Sequence, residues 1–334
     1  MSSYEEVPKI GKKSLLLLLM GLVLMVPLLA TFDLGEAMEN LRKIGPVPVF
    51  LSFLSIHIGV LFYNLGWYIL LDRRARFKDV FLIGWTSLFV NLLIPAGSAS
   101  GEVARVYFIR KKADLPTGEA LSTIVAHRVV MIVPFIVSII LGTSYLLSMI
   151  GPSERSLIAI MSSIVLMSAF FYLIYKLSMD DSKLIKIVSF IERKLNKNYE
   201  NIKSTIREYS QAFRNLMNNR RMLLLSLTCS FLNWLFDMLP IFIYFIAMGY
   251  WIDPLMGALI YSVSIILVLI PIGIPGNTGI REWTMTGLLS AIGLTKGEAL
   301  ALTLVSSTVT VFLNELMFGL IAYIILIKNL SKKG

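Results

Sequence analysis

Charged residues that could bind an anionic group stand inside otherwise apolar stretches of the chain. Arginine presents a planar fork of donors that matches phosphate or carboxylate oxygens, and a nearby carboxylate can hold that fork in place. The residues that we expect to bind such a group are Arg105, Arg128, Arg281, Glu102 and Glu282.

Three further ionisable residues in apolar stretches are expected to carry protons or balance charge, namely His127, Asp237 and Glu315. A charge at a bilayer centre costs about 2.5–3.5 kcal/mol even on a lenient scale. Such residues must therefore pair with each other or face water. Internal ion pairs, such as Glu102 with Arg105 or Arg128, are the alternative to ligand binding.

The composition indicates a polytopic membrane protein. Of 334 residues, 56% are hydrophobic and 16% charged, against about 25% charged in soluble domains. The net charge of +10 is attributed to basic loops on an anionic leaflet rather than to nucleic acid. One cysteine, Cys229, and two histidines predict neither a metal site nor a disulfide, and we expect no cofactor.

The apolar stretches predict an all-α protein with a single membrane domain over residues 1–334 and about six full transmembrane helices. Flanking basic residues predict a cell-membrane location with both termini cytoplasmic. The predicted spans are Ser14–Phe32, Val47–Leu71, Ala120–Met149, Leu157–Leu177, Met222–Gly249 and Ala299–Ile327.

Two polar breaks, each containing a proline and glycines, interrupt further apolar stretches. We expect two re-entrant hairpins, because Arg110–Lys112 then returns to the cytoplasmic side. Full crossings, each paired with the short helix that follows it, are the alternative. The residues assigned to the breaks are Pro95, Gly97, Gly101, Pro275, Gly276 and Gly279.

The chain contains an internal repeat. Residues 115–121 and 294–300 share the pattern L-x-x-G-E-A-L, and each copy follows a break. We assign repeat units to residues 47–150 and 222–327, with opposite orientations in the membrane. Paired broken helices in inverted repeats are typical of transporters with a substrate site near the midplane, whereas isolated Gly and Pro in membrane helices are common kinks.

Residues 178–221 are the only long polar segment, and their apolar residues recur at helical spacing. They predict two amphipathic helices on the cytoplasmic surface. The segment is interpreted as a solvated linker on anionic lipid, with a specific lipid or protein site as the alternative.

Two motif blocks resemble the flippase-like membrane domain of lysylphosphatidylglycerol synthases. The first runs from Asn91 through Pro95-Ala-Gly and Gly101-Glu-Val-Ala-Arg105 to Ala126-His-Arg128, and the second is Pro275-Gly-Asn-Thr-Gly-Ile-Arg-Glu282 followed by Gly297-Glu-Ala-Leu300. The sequence departs from the family pattern at His127 and Arg281, where an acidic residue and a glycine are more usual.

The resemblance implies movement of a polar lipid, or of a lipid-linked sugar or phosphate, between leaflets. That domain also accompanies some archaeal glycosyltransferases and also stands alone. The chain is too short to carry the synthase's aminoacyl-transfer domain, so we do not expect an enzyme. The lipid, the direction of movement, the energy source and the oligomeric state stay open.

Two other functions compete with transport. In the first, an intramembrane serine hydrolase, Ser100 would be the nucleophile and His127 the base, although the glycines expected after that histidine are missing. In the second, the chain is a non-transporting partner that holds a glycosyltransferase or another lipid-modifying enzyme through residues 180–221.

Overall fold

The computed structural model describes residues 34–94, 99–150, 154–195, 198–269 and 279–331, and these ranges contain helices and no strands. The all-α prediction is confirmed. The predicted span Ser14–Phe32 and the break residues Pro95, Gly97, Pro275 and Gly276 lie outside the described ranges.

Helices follow one another with short connections. In the first half they are α1 (Leu34–Ile44), α2 (Pro46–Leu70), α3 (Phe77–Leu93), α4 (Ala99–Ala113), α5 (Thr117–Ile150) and α6 (Glu154–Met179). In the second half they are α7 (Asp181–Leu195), α8 (Glu200–Asn218), α9 (Arg220–Ala247), α10 (Pro254–Leu269), α11 (Ile280–Ala291), α12 (Lys296–Thr303), a π-helical segment (Leu304–Phe312) and α13 (Leu313–Ser331).

Four helical stretches in the described ranges are long and apolar enough to cross a membrane: Pro46–Leu70, Thr117–Met149, Arg220–Ala247 and Lys296–Leu330. Each coincides with a predicted span, which confirms a polytopic membrane protein. Helix α6 covers the predicted span Leu157–Leu177 and has 26 residues. The total of six crossings stays a prediction.

Helices α3 and α4 form an antiparallel hairpin. At its tip, Gly101 N donates to Asn91 Oδ1 at 2.6 Å, and at its mouth, Lys112 Nζ lies 3.3 Å from Asp79 Oδ1. With 17 and 15 residues, the arms are about 25 and 22 Å long, shorter than a hydrocarbon core of about 30 Å. The chain thus returns to the end where it entered.

Helices α10 and α11 form a second hairpin whose mouth lies at the other end of the bundle. Asp253, just before α10, and Gly293, just after α11, line one cavity of about 530 Å³ together with Tyr145 near the end of α5. Helix α5 begins beside the first mouth, where Arg74 Nη1 lies 2.5 Å from Glu119 Oε1. Because α5 runs between the two mouths, the hairpins open at opposite ends.

Helices α7 and α8 lie on the surface at the end of the first mouth. Tyr209 and Phe213 of α8 are buried, and the Tyr209 hydroxyl donates to Ser178 Oγ at 2.5 Å. The ammonium of Lys203 donates to the Glu192 carboxylate and lowers the pKa of that carboxyl. At a pH above the usual pKa of glutamate, this ion pair stabilises the contact between α7 and α8. The stabilisation is lost as the pH falls through the lowered pKa of Glu192.

Single cysteines should test whether each pair of helices returns to the side of the membrane from which it entered. In a Cys229→Ala background, we expect Lys78→Cys and Lys111→Cys to react with a membrane-impermeant maleimide from one side of sealed vesicles. Trp251→Cys and Lys296→Cys should react from the other side, because these exposed residues flank the second mouth. Labelling of positions 78 and 111 from opposite sides would contradict the hairpin.

Candidate functional site

The first charged cluster consists of Glu102 and Arg105 on α4 and His127 and Arg128 on α5. Residues 102 and 105 are three apart, so they share one face of α4. Arg105 Nη1 donates to Glu102 Oε2 at 2.9 Å, and Arg128 donates to the other carboxylate oxygen, Oε1. The Glu102 carboxylate therefore bridges two arginines.

Arg105 is enclosed by protein. Its side chain has 0% exposure, its guanidinium carbon lies 3.9 Å from the Trp67 ring centroid, and Nη1 also donates to the Tyr63 hydroxyl at 3.1 Å. Only Nε lacks a hydrogen-bond partner among the described residues. Arg128, with 30% of its side chain exposed, is the arginine of this cluster that faces outward.

His127 lies behind Arg105. Its Nδ1 is 3.2 Å from Arg105 Nη2, and because a guanidinium only donates, Nδ1 must accept. The ring is therefore a neutral imidazole with its proton on Nε2, and it packs edge-on against Tyr63 with 4.8 Å between centroids. In this position His127 serves as a partner of Arg105.

The second charged cluster consists of Asp237 on α9, Arg281 on α11 and Glu315 on α13, which interact electrostatically. Asp237 Oδ2 accepts from Asn233 Nδ2 at 2.7 Å. Asp237 Oδ1 and Arg281 Nε are buried without a hydrogen-bond partner in the described part of the chain. Both residues line a cavity of about 10 Å³, which is about the size needed for one water molecule.

Helix α2 passes both clusters. A Cβ on Gly59 would lie 3.0 Å from Asp237 Cγ, and one on Gly66 would lie 3.4 Å from His127 Nε2. Seven residues separate these glycines, which is about 10 Å along a helix. The two clusters thus lie about two helical turns apart beside α2, and the glycines let the side chains of Asp237 and His127 approach its backbone.

Glu282 caps its own helix. Its Oε2 accepts from the backbone N–H of Gly279 at 2.6 Å, and its Oε1 accepts from the Ser307 hydroxyl. Gly279 has φ = 92°, a left-handed conformation that favours glycine. The predicted substrate residue Glu282 is therefore engaged in positioning α11 and, through it, Arg281.

The π-helical segment is part of this site and was not predicted. Its Ser307 holds Glu282, its Thr310 bonds to the Tyr244 hydroxyl, and Thr310 Oγ1 donates to Val305 O at 2.7 Å. Extra backbone residues of this kind occur frequently at functional sites. The signal available in the sequence was the hydroxyl-rich run Ser306-Ser-Thr-Val-Thr310 within a membrane helix.

The residues of the hydrolase alternative have other partners. Ser100 Oγ donates to Asn91 Oδ1 at 2.9 Å, while His127 faces Arg105 and Tyr63. Over the described ranges, no group of three or more His, Cys, Asp and Glu side chains is arranged to hold a metal ion.

Comparisons with known proteins point to one family. The sequence model of the lysylphosphatidylglycerol synthase TM region matches residues 14–316. A UPF0104 membrane protein of Methanothermobacter thermautotrophicus is 25% identical over 91% of this chain and 93% of its own length. UPF0104 membrane proteins of Methanocaldococcus jannaschii and Pyrococcus horikoshii are 25% and 24% identical, over 96% and 92% of this chain and 97% and 96% of their own lengths.

Removing the charge of Glu102 should destabilise the fold. In Glu102→Gln, the buried Arg105 loses its counter-charge, and breaking such a buried pair costs about 3–5 kcal/mol. The matched control is Glu119→Gln, whose exposed pair with Arg74 is worth about 1 kcal/mol or less. The measurement is the free energy of unfolding in mixed detergent micelles, and equal losses in the two variants would contradict a buried ionic network.

Proposed function

The chain belongs to the family of the lysylphosphatidylglycerol synthase TM region, and we propose that it moves the polar headgroup of a lipid between the two leaflets of a membrane. The headgroup is anionic, or is a phosphate or sugar linked to a lipid. The observation that carries this proposal is a pair of hairpins that open at opposite ends of the helix bundle. Each hairpin brings one arginine, Arg105 or Arg281, into the interior of the bundle.

The path begins at the first charged cluster. Arg128 has part of its side chain exposed and its guanidinium shared with only one carboxylate oxygen. An arriving phosphate can therefore bind bidentately to it. Glu102, itself bonded to Arg105, holds Arg128 in place, and Glu102 and Arg105 contact the headgroup only after the cluster opens.

The path continues at Arg281, whose buried Nε has no partner within the described ranges. A donor left unsatisfied in an apolar interior costs about 1–3 kcal/mol, which an anionic oxygen would relieve. Glu282 and Gly279 fix the helix that carries this arginine. Lipid tails stay in the hydrocarbon, as expected for a polar path at the midplane of broken helices.

The proposed setting is the cell membrane, with both termini in the cytoplasm and membrane lipids as the ligands. The basic segment over 178–221 would then face the anionic cytoplasmic leaflet. In this role the chain changes the location of a lipid and not its covalent structure, so we propose a transporter rather than an enzyme.

Neutralising either arginine should slow transport. Arg128→Gln and Arg281→Gln each remove a charge-assisted contact worth about 1.5–3 kcal/mol, so we expect about 10–100-fold slower exchange. The assay follows dithionite quenching of fluorescent anionic, cationic and polyprenyl-phosphate lipids in proteoliposomes.

Arg193→Gln, an exposed arginine on α7, is the matched control and should keep wild-type exchange. Thermal unfolding reports whether each variant is folded. Wild-type exchange rates in both folded Arg128 and Arg281 variants would overturn the assignment of the path.

A second candidate function is favoured by α7, where no residue is buried. Its apolar face exposes Ile187, Phe190, Ile191 and Leu195. Such a face fits a non-transporting partner that docks a glycosyltransferase or another lipid-modifying enzyme.

This candidate predicts that tagged protein that exchanges no lipid co-purifies with such an enzyme, identified by mass spectrometry. Phe190→Glu should abolish the association by placing a charge in the apolar face, whereas the exposed Lys194→Gln should not. Binding of α7 to protein-free liposomes without any enzyme partner would reject it.

A further inference from the structure

The first charged cluster carries an excess of positive charge. The single carboxylate of Glu102 faces the two guanidinium groups of Arg105 and Arg128. The neutral ring of His127 adds no charge. A monoanionic headgroup bound at Arg128 would therefore bring this cluster to neutrality.

The second charged cluster carries an excess of negative charge. The carboxylates of Asp237 and Glu315 face one guanidinium, that of Arg281. Glu282 adds a further carboxylate nearby, but it is held by the Gly279 N–H and the Ser307 hydroxyl. An uncompensated carboxylate in an apolar interior is costly unless it takes up a proton.

Asp237 has an oxygen available for that proton. Its Oδ2 accepts from Asn233, whereas the buried Oδ1 has no donor among the described residues. The adjacent cavity of about 10 Å³ has about the size needed for one water molecule, which could deliver the proton. This unsatisfied oxygen is a structural observation independent of the charge count.

The surroundings of Asp237 contain few other titratable groups. Helix α2 presents Gly59 to it and α9 presents Asn233, neither of which titrates. The titratable and charged groups that face it from the remaining packed elements, in the described ranges, are Tyr261 of α10, Arg281 of α11 and Glu315 of α13. The described groups around Asp237 that can take up a proton near neutral pH are therefore two carboxylates, beside one fixed positive charge.

We propose that the second charged cluster binds one proton for each monoanionic headgroup that is moved, so that lipid and proton cross together. This inference rests on the proposed function. The proton comes from water on the entry side, forms an O–H bond at Asp237 Oδ1 or on Glu315, and is released to water on the exit side. One negative and one positive charge cross together, so the transfer is electrically neutral.

Infrared spectroscopy tests the proton site without any transport. Reconstituted protein at neutral pH should show the C=O band of a protonated carboxylic acid, and Asp237→Asn and Glu315→Gln should each remove or shift it. The matched control Glu200→Gln, at an exposed carboxylate of α8, should leave the band unchanged. A band that is absent from the wild type, or that persists unshifted in both cluster variants, overturns the proposal.

Proteoliposomes with fluorescent phosphatidylglycerol test the coupling. With one proton per lipid, a pH gradient should drive up to about tenfold accumulation in the alkaline-side leaflet for each pH unit, and Asp237→Asn should abolish it. A potassium diffusion potential alone should drive none.

The outcomes separate the two proposals. If the rate and direction of lipid exchange do not depend on the pH gradient, or if they follow the membrane potential, proton coupling is overturned. The proposed lipid transport is then still supported by the exchange itself. A carboxylic acid band that depends on Asp237, together with no exchange of any lipid in the panel, supports the proton site and refutes the proposed transport function.

Discussion

A buried guanidinium and the carboxylate that neutralises it set the arrangement of the first half of the protein. Arg105 has no solvent contact, and an unpaired charge in this position would cost more than a typical stabilising interaction returns. Its partners come from α2, α4 and α5, so these helices must meet where α4 begins. The hairpin of α3 and α4 is the element that brings Glu102 and Arg105 to that depth.

The charged side chains of the two clusters differ in how completely they are paired. In the first cluster the Glu102 carboxylate forms ion pairs with both arginines, although Arg105 Nε has no hydrogen-bond partner among the described residues. In the second cluster, Asp237 Oδ1 and Arg281 Nε lack partners within the described residues, and the adjoining helix has a π-helical segment. The first cluster is therefore held by direct ion pairs and the second has, in the part of the chain that the structure describes, a free acceptor beside a free donor group, although both halves carry the L-x-x-G-E-A-L pattern.

Much of the architecture was predictable from the sequence, because the hydrocarbon core of a membrane requires long apolar helices and penalises unpaired charges. Apolar length predicted the four helical stretches that are long and apolar enough to cross a membrane, and the position of basic residues such as Lys112 favoured a hairpin that returns to its side of entry. The cost of isolated charges also predicted, as the alternative to ligand binding, ion pairs of Glu102 with Arg105 or Arg128, and the structure has both. Assignment of headgroup contacts to these residues stays a prediction.

Other features depend on contacts between distant segments, which leave little trace in local patterns. Helix α1 is anchored by Glu36, which accepts from Thr295 Oγ1 at 2.5 Å. Glu282 was assigned to substrate, yet its oxygens are bonded to Gly279 and Ser307, because a glutamate three residues after a left-handed glycine reaches back to that backbone N–H. The π-helical segment bonds to Tyr244 and Glu282 on other helices, and its hydroxyl-rich run does not by itself indicate a π-helix.

The close fit of Asp237 against Gly59 also has a mechanical consequence. The Asp237 side chain of α9 packs directly against the backbone of α2 at Gly59, where there is no Cβ. About two turns further along, Gly66 of α2 makes a second close approach to Cys229 of α9. Close packing at both points opposes sliding of one helix along the other. We therefore expect α2 and α9 to move as one unit, so that any opening or closing of the molecule occurs at the hairpins packed against them.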